Sequence, residues 1–353
     1  MKIALDTNGY YTGKGGVARY TRKLQESLQT LATGDVQVEA LSWPVFNTTF
    51  TQPWRAMKTA YRELFWARLV APAILSRGRY DLAHLVSSVP IQFPPTVRKV
   101  VTLHDVAPLR HPERFRRWHR HAWHHYAASL ASADRIICVS QFTADEAMAL
   151  LGLPASLLEV VHHGVDPPPP AELGAAPNIP DEFLLFVGCL EPGKNLDLLR
   201  ETYARANAEG DPLPPLVIVG PRRHGVTIGD IGLDEWRVLG VQPDTVLYAL
   251  YQRAAALLFP SRYEGFGLPV LEAMSVGCPV ICSPIASLPE VAGDAALFSE
   301  QDPAAYLDAI RSLLSQESLH SELSEKGRER AARFTWKSCA ENTVNVYRDV
   351  LQS

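Results

Sequence analysis

Short runs of consecutive apolar residues alternate with longer amphipathic stretches along both halves of the chain. In the first half the runs fall at residues 2–5, 36–41, 82–85, 99–103, 135–139 and 158–161. In the second they fall at 183–187, 215–219, beside Pro243, 255–259 and 280–282. Strands covered by helices on both faces read as continuous apolar runs, whereas half-exposed strands alternate. The pattern therefore predicts an α/β fold with two doubly wound parallel sheets. Between the halves stands Asp166-Pro167-Pro168-Pro169-Pro170, whose prolines have a fixed φ and no N–H to donate. This predicts a first domain over 1–166, a proline-rich linker over 167–180, a second domain over 181–335 and a terminal helix over 336–353 that crosses back to the first.

Composition agrees with two cores. A chain of 353 residues that is 47% hydrophobic exceeds one ordinary doubly wound domain. The five cysteines, Cys138, Cys189, Cys278, Cys282 and Cys339, include no C-x-x-C pair and suit buried thiols rather than a zinc site or a disulfide framework. No long apolar segment or signal-like leader occurs, which predicts a soluble, cytoplasmic protein. The net charge of −4 conceals a basic region: residues 54–125 carry a surplus of nine positive charges. Within it, residues 54–70 set Trp54, Phe65 and Trp66 among Arg55, Lys58, Arg62 and Arg68 at helical spacing. Two readings stay open: an interfacial helix on an anionic membrane, with Trp54, Phe65 or Trp66 inserting, or an amphipathic helix packed on the first sheet.

Candidate chemistry gathers where the predicted strands end. Residues 261–272, SRYEGFGLPVLE, follow an apolar run that Pro260 terminates, and Gly265 and Gly267 permit a tight turn into a helix. The freed N–H groups of Gly265, Phe266, Gly267 and Leu268, with Glu264 and Glu272 on either side, suit a ligand bearing hydroxyls at both ends. An ordinary corner with solvated carboxylates is the alternative. Gly13-Lys14-Gly15-Gly16 opens a helix after the first strand and reads either as a loop that lets the backbone approach a phosphate or as a plain βα turn; without a full G-x-G-x-x-G it disfavours a nicotinamide dinucleotide. His104 stands at the carboxyl end of a strand, where it is either a structural histidine or a ligand-facing one whose ring Asp105 could orient. Lys194 stands at a helix start as a point charge for a diphosphate, with Arg222 or Arg223 either its partner in that task or part of an exposed basic loop. The histidines of residues 118–126, WHRHAWHHY, lack an accompanying Glu or Cys, so no metal site is expected.

The segment 264–281, with GKGGVARYTRKL, TLHDVAPLRHPE, FVGCLEPGKNLDLL and SLPEVAGDAALF, resembles the retaining glycosyltransferases of family 4. The overall pattern is most like the bacterial O-antigen and surface-polysaccharide mannosyltransferases. That resemblance implies a GT-B architecture, with two Rossmann-like domains facing each other across a cleft. It also implies transfer of a hexose, mannose being the favoured one, from a nucleotide-diphosphate sugar to a glycan or lipid-linked acceptor in surface-polysaccharide synthesis. The nucleotide sugar is a co-substrate; no cofactor and no nucleic-acid partner are implied. In the family's terms Gly15 and Gly16 lie over the diphosphate, His104 faces the donor sugar, Glu264 orients its hydroxyls and Glu272 accepts from the ribose. The family commonly has an Arg near Lys194 where this chain has Cys189 or Gly193. That departure leaves open a non-catalytic sugar-nucleotide-binding subunit of an assembly complex as the alternative. No D-x-D occurs, so a metal-chelating donor site is not expected.

Overall fold

A computed structural model describes residues 1–8, 15–31, 35–42, 61–86, 91, 93–115, 117–167, 179–222 and 236–353, without the side chains of 62–64, 117–119, 121, 122 and 125. Arg223, the prolines at 168–170 and the stretch 43–60 with Trp54 lie outside the described residues. The chain forms two compact units, Met1–Gly164 with Trp336–Ser353, and Val165–Thr335.

The first unit is built on six parallel strands: β1 (Lys2–Asp6), β2 (Gln37–Leu41), β3 (Leu82–Leu85), β4 (Arg98–Leu103), β5 (Arg135–Cys138) and β6 (Leu158–Val160), in the order β2-β1-β3-β4-β5-β6. The inner strands β3 and β5 are fully buried along all or nearly all their length, which is why their sequences do not alternate. Helix α1 (Gly16–Leu31) turns Tyr20, Thr21, Leu24 and Leu28 inward, the i, i+4, i+8 stripe of an amphipathic helix. A π-helical segment, Tyr61–Val70, runs into α2 (Ala71–Arg77). The unit continues with α3 (Ala107–Arg110), α4 (Arg117–Leu130) and α5 (Gln141–Leu151). Ser140 caps α5 by accepting from Thr143 N at 3.1 Å, and Gly152 ends it in the left-handed region at φ 65°.

The second unit comprises β7 (Leu184–Val187), α6 (Leu196–Ala208), β8 (Leu216–Val219), β9 (Arg237–Gly240), α7 (Asp244–Arg253), β10 (Ala256–Phe259), α8 (Leu268–Ser275), β11 (Val280–Cys282), α9 (Leu288–Ala292), β12 (Leu297–Phe298), α10 (Pro303–Ser315) and α11 (Glu317–Ala331). Its parallel order is β12-β11-β10-β7-β8-β9. Leu184, Phe186, Ile218 and Leu258 of the sheet pack against Leu199 and Tyr203 of α6 and Tyr306 and Ile310 of α10. The last helix, α12 (Trp336–Gln352), belongs to the first unit, where it packs along α1.

Each strand expected from the apolar runs is present, with bounds within one residue, and the run beside Pro243 is β9, which precedes that proline. The two-residue β12 was not foreseen, because Leu297 and Phe298 make too short an apolar run to stand out. The proposed insertion of Trp66 needs correction. Its side chain is 0% exposed and belongs to the first core, whereas Tyr61, Phe65, Leu69 and Ile74 are the exposed apolar side chains of this segment.

Candidate donor-sugar site

In an open parallel sheet, ligands bind beyond the carboxyl ends of the strands where the strand order reverses. The second sheet reverses between β7 and β10. The loops leaving these two strands carry Lys194 and Glu264, and they are joined by a backbone bond from Arg262 N to Gly193 O at 2.9 Å. Lys194 ends a 3₁₀ turn, Pro192–Lys194, before Asn195 at φ 56° opens α6. Its ammonium forms an ion pair and hydrogen bond with Glu264 Oε1, both side chains being largely buried, and lies 5.5 Å from the ring centroid of Phe259. The lysine stem passes over Gly188, where a Cβ would stand 3.7 Å from Lys194 Cδ, an ordinary van der Waals contact.

The turn 264–267 is held from below. Ser287 Oγ lies 3.0 Å from Glu264 O and 2.9 Å from Phe266 O, so one buried hydroxyl bridges both carbonyls. Gly267 adopts φ 100°, where a Cβ would meet Leu288 Cδ2 at 2.8 Å; only glycine fits this entry to α8. The Phe266 side chain is buried edge-on against Phe334, with centroids 6.1 Å apart, and Leu268 is buried as well. These two residues thus offer backbone rather than side chain to a ligand. Pro269 has no N–H and Val270 N donates to Gly267 O at 3.0 Å, so the amide that the start of α8 offers is that of Leu268. Glu272, one turn further on, is 4% exposed and accepts from Tyr251 Oη at 3.0 Å.

Arg222 is exposed on the loop after β8, in a parallel bridge with Leu190 of the Lys194 loop. Gly220 makes that approach feasible: at φ 141° a Cβ would stand 2.0 Å from Gly188 O. Two buried atoms nearby in sequence, Asn195 Oδ1 and Ser261 Oγ, have no hydrogen-bond partner among the described residues. Unpaired buried acceptors are costly, which favours a polar occupant beside them. Sequence reasoning missed Tyr251, Asn195, Ser261 and Ser287. Ser261, Asn195 and Ser287 lie inside the quoted motifs and Tyr251 outside them; they matter through what they touch, which sequence spacing does not show.

The first sheet reverses between β1 and β3; Gly15 immediately precedes α1 and Gly16 opens it, both exposed. His104, half-buried just past β4, places Nε2 3.1 Å from Val86 O beyond β3. Burial holds its pKa down to about 4, so the ring is neutral at pH 7. A neutral ring that donates from Nε2 to a carbonyl presents Nδ1 as an acceptor. The recorded partner that sets the tautomer is thus the Val86 carbonyl, while Asp105 Oδ1 accepts from Ala107 N at 2.9 Å and shapes the following turn.

Beneath His104 lies a buried hydrogen-bonded chain. His84 joins Tyr347 Oη at 2.6 Å and Thr102 Oγ1 at 2.7 Å, and Tyr20 Oη meets the same Thr102 hydroxyl at 3.1 Å. The Tyr20 ring stands edge-on to His104 with centroids 5.0 Å apart. Burial first, then the neighbouring His104, holds the His84 pKa down to about 3. Among the described residues no group of three or more His, Cys, Asp and Glu could hold a metal ion, and no helix is long and apolar enough to cross a membrane. In the WHRHAWHHY segment, the described part of α4 leaves His124 exposed.

Comparison with known proteins accounts for both units. A model described as "Glycosyltransferase Family 4" matches residues 14–168, and one described as "Glycosyl transferases group 1" matches residues 175–330. The chain is 34% identical over 275 residues to O-antigen chain mannosyltransferase B of Escherichia coli, covering 71% of this chain and 70% of that protein. Among solved structures, sucrose-phosphate synthase from Thermosynechococcus elongatus superposes with a TM-score of 0.77 at 21% identity, covering 99% of each chain. HepE of Anabaena, solved with UDP and glucose, gives a TM-score of 0.73 at 18% identity, covering 99% of this chain and 100% of that one. These likenesses show the GT-B fold with its two six-stranded parallel sheets.

Proposed function

We propose that this chain, which belongs to the family 4 glycosyltransferases and is a retaining hexosyltransferase by family, transfers mannose from GDP-mannose to a glycan or lipid-linked acceptor of a bacterial surface polysaccharide. The observation that carries the reading is the meeting of Lys194, Glu264 and the start of α8 where the second sheet reverses, with Glu272 one turn along the same helix. The similarity to an O-antigen mannosyltransferase supports the choice of sugar.

In this reading Glu272, held by Tyr251, accepts from the ribose hydroxyls. The amides at the turn 265–268 and Glu264 hold the hexose. Lys194, with Arg222 or Arg223, and the positive end of α8 stabilise the charge that grows on the departing diphosphate. His104 receives a sugar hydroxyl on Nδ1, and Gly15 and Gly16 admit the diphosphate without side-chain obstruction. The bond from the anomeric carbon to the diphosphate oxygen breaks as the bond to the acceptor oxygen forms on the same face. The leaving phosphate takes the acceptor proton, so no protein nucleophile is required, and the protein supplies positioning and charge stabilisation.

The exposed stripe Tyr61, Phe65, Leu69 and Ile74, flanked by exposed Arg68 and Arg77, supports peripheral attachment to an anionic membrane on the cytoplasmic side, where a lipid-linked acceptor would be met. The test is transfer from GDP-mannose to membranes carrying the acceptor, in EDTA, with the anomeric configuration of the product read by NMR. Retained configuration and an undiminished rate are expected. An inverted product, or a rate restored only by Mg²⁺ or Mn²⁺, would overturn the mechanism.

A further inference from the structure

We infer that Glu264 and the donor diphosphate compete for Lys194, so that nucleotide binding itself releases the carboxylate that holds the sugar. The inference rests on the donor-site reading above and adds a coupling to it. Lys194 is spent on Glu264 in the free protein: the two charges touch, and the surrounding protein leaves their side chains 17% and 12% exposed. At that burial the attraction is screened far less than at a surface, and the pair presents little net positive charge to an arriving anion.

The backbone around the pair is pinned independently of the bond between the two side chains. Ser287 holds the carbonyls of Glu264 and Phe266, and Arg262 N holds Gly193 O, so the two loops keep their spacing when the pair opens. A lysine head on a four-carbon stem can swing by rotamer change alone. Once it turns to a phosphate oxygen, Glu264 Oε1 has lost its donor, and a sugar hydroxyl takes that place. Because each partner's second choice belongs to one ligand, the exchange is completed by a nucleotide sugar and left half-finished by a free nucleotide.

The consequence has an unusual sign: removing the charge of a site carboxylate should tighten nucleotide binding. Calorimetry would compare GDP, UDP, ADP and the corresponding nucleosides on the wild type, Glu264→Gln, Glu264→Ala, Lys194→Met and the Lys194→Met/Glu264→Gln double variant. For the diphosphate that the wild type binds, Glu264→Gln should bind roughly three- to tenfold tighter, a gain of up to about 1.4 kcal/mol. Glu264→Ala should shift the same way, the nucleoside should not gain, and the gain should vanish in the double variant.

Equal or weaker diphosphate binding by both Glu264 variants would overturn the exchange while leaving the donor site standing. So would a gain that the nucleoside shares or that survives loss of Lys194. Failure of the wild type to bind any of the three diphosphates would remove the donor-site reading and the exchange together.

Discussion

The two units present the same architectural opportunity, a reversal of strand order in a parallel sheet, and equip it with opposite chemistry. In the second unit the reversal between β7 and β10 is furnished with charge: Lys194 against Glu264, and Glu272 against Tyr251. In the first unit the groups near the reversal are His104 on a carbonyl, His84 between Thr102 and Tyr347 and the Tyr20 ring beside them, with the buried Asp6 carboxylate that ends β1 accepting from Asn8 N and Nδ2. Charge that pairs inside the protein can be exchanged for a ligand's charge. Neutral imidazoles fixed by burial can shape a surface and accept a hydroxyl, but they do not bind an anion by Coulomb attraction. In the proposed reading, the difference leaves the groups that stabilise the diphosphate's charge in the second unit and gives the first a positioning role.

The comparison breaks first under acid. His84 and His104 have folded pKa values of about 3 and about 4, and burial also depresses His163. Unfolded histidine titrates near 6.5, so below that pH the unfolded chain binds protons that the folded unit refuses, and stability is lost as pH falls. Between pH 7 and pH 5 the two quantified histidines should cost about 2 kcal/mol each, or about 4 together. The second unit has no such histidine among its described residues. Hydrogen exchange at pH 7 and pH 5 should therefore show β3 and β4 deprotected before β7 and β8. Equal deprotection would mean that the buried imidazoles do not distinguish the units.

Glu264→Ala sharpens the assignment of roles. Loss of a hydrogen-bonding carboxylate in a desolvated site costs about 1.5–3 kcal/mol, so turnover should fall by up to about 100-fold. Affinity for the free nucleotide should not fall. Steady-state kinetics beside calorimetry separates the two; a parallel loss of both would place Glu264 on the nucleotide instead of the sugar.

A smaller effect tests the basic face of the first unit. Phe65→Ser with Leu69→Ser should lower partitioning onto phosphatidylglycerol vesicles on the order of tenfold, because both side chains are exposed and neither supports the core. Salt should weaken binding of the parent protein. Trp66→Ser is no test of docking: that indole is wholly buried, and its removal acts on stability. Unchanged partitioning of the double variant in co-sedimentation would return the segment to a packed helix with a wet outer face.

The sheets were legible because their inner strands are buried on both sides, and such runs as 256–259 and 280–282 leave little choice of conformation. The turn at Gly267 was legible for a related reason: its backbone and the nearby Leu288 side chain exclude any other residue. What the sequence could not carry was pairing at a distance. Lys194 and Glu264 are separated by 70 residues, His84 and Tyr347 by 263, and nothing in either neighbourhood names its partner. Trp66 was misjudged because a tryptophan among arginines reads as interfacial, whereas the π-helical winding of residues 61–70 turns Trp66 and Ala67 inward and leaves Tyr61, Phe65 and Leu69 outside.

The most direct measurement of the central claim, that the reversal point of the second sheet is the nucleotide site, is calorimetric affinity for free GDP on the wild type and on Glu272→Ala. Glu272 is buried against Tyr251 and is assigned to the ribose, so its loss should weaken GDP by about tenfold or more. The melting profile of β7 and β8 should be preserved. Equal affinity in the two proteins, with that profile intact, would contradict the ribose assignment and with it the place given to the donor.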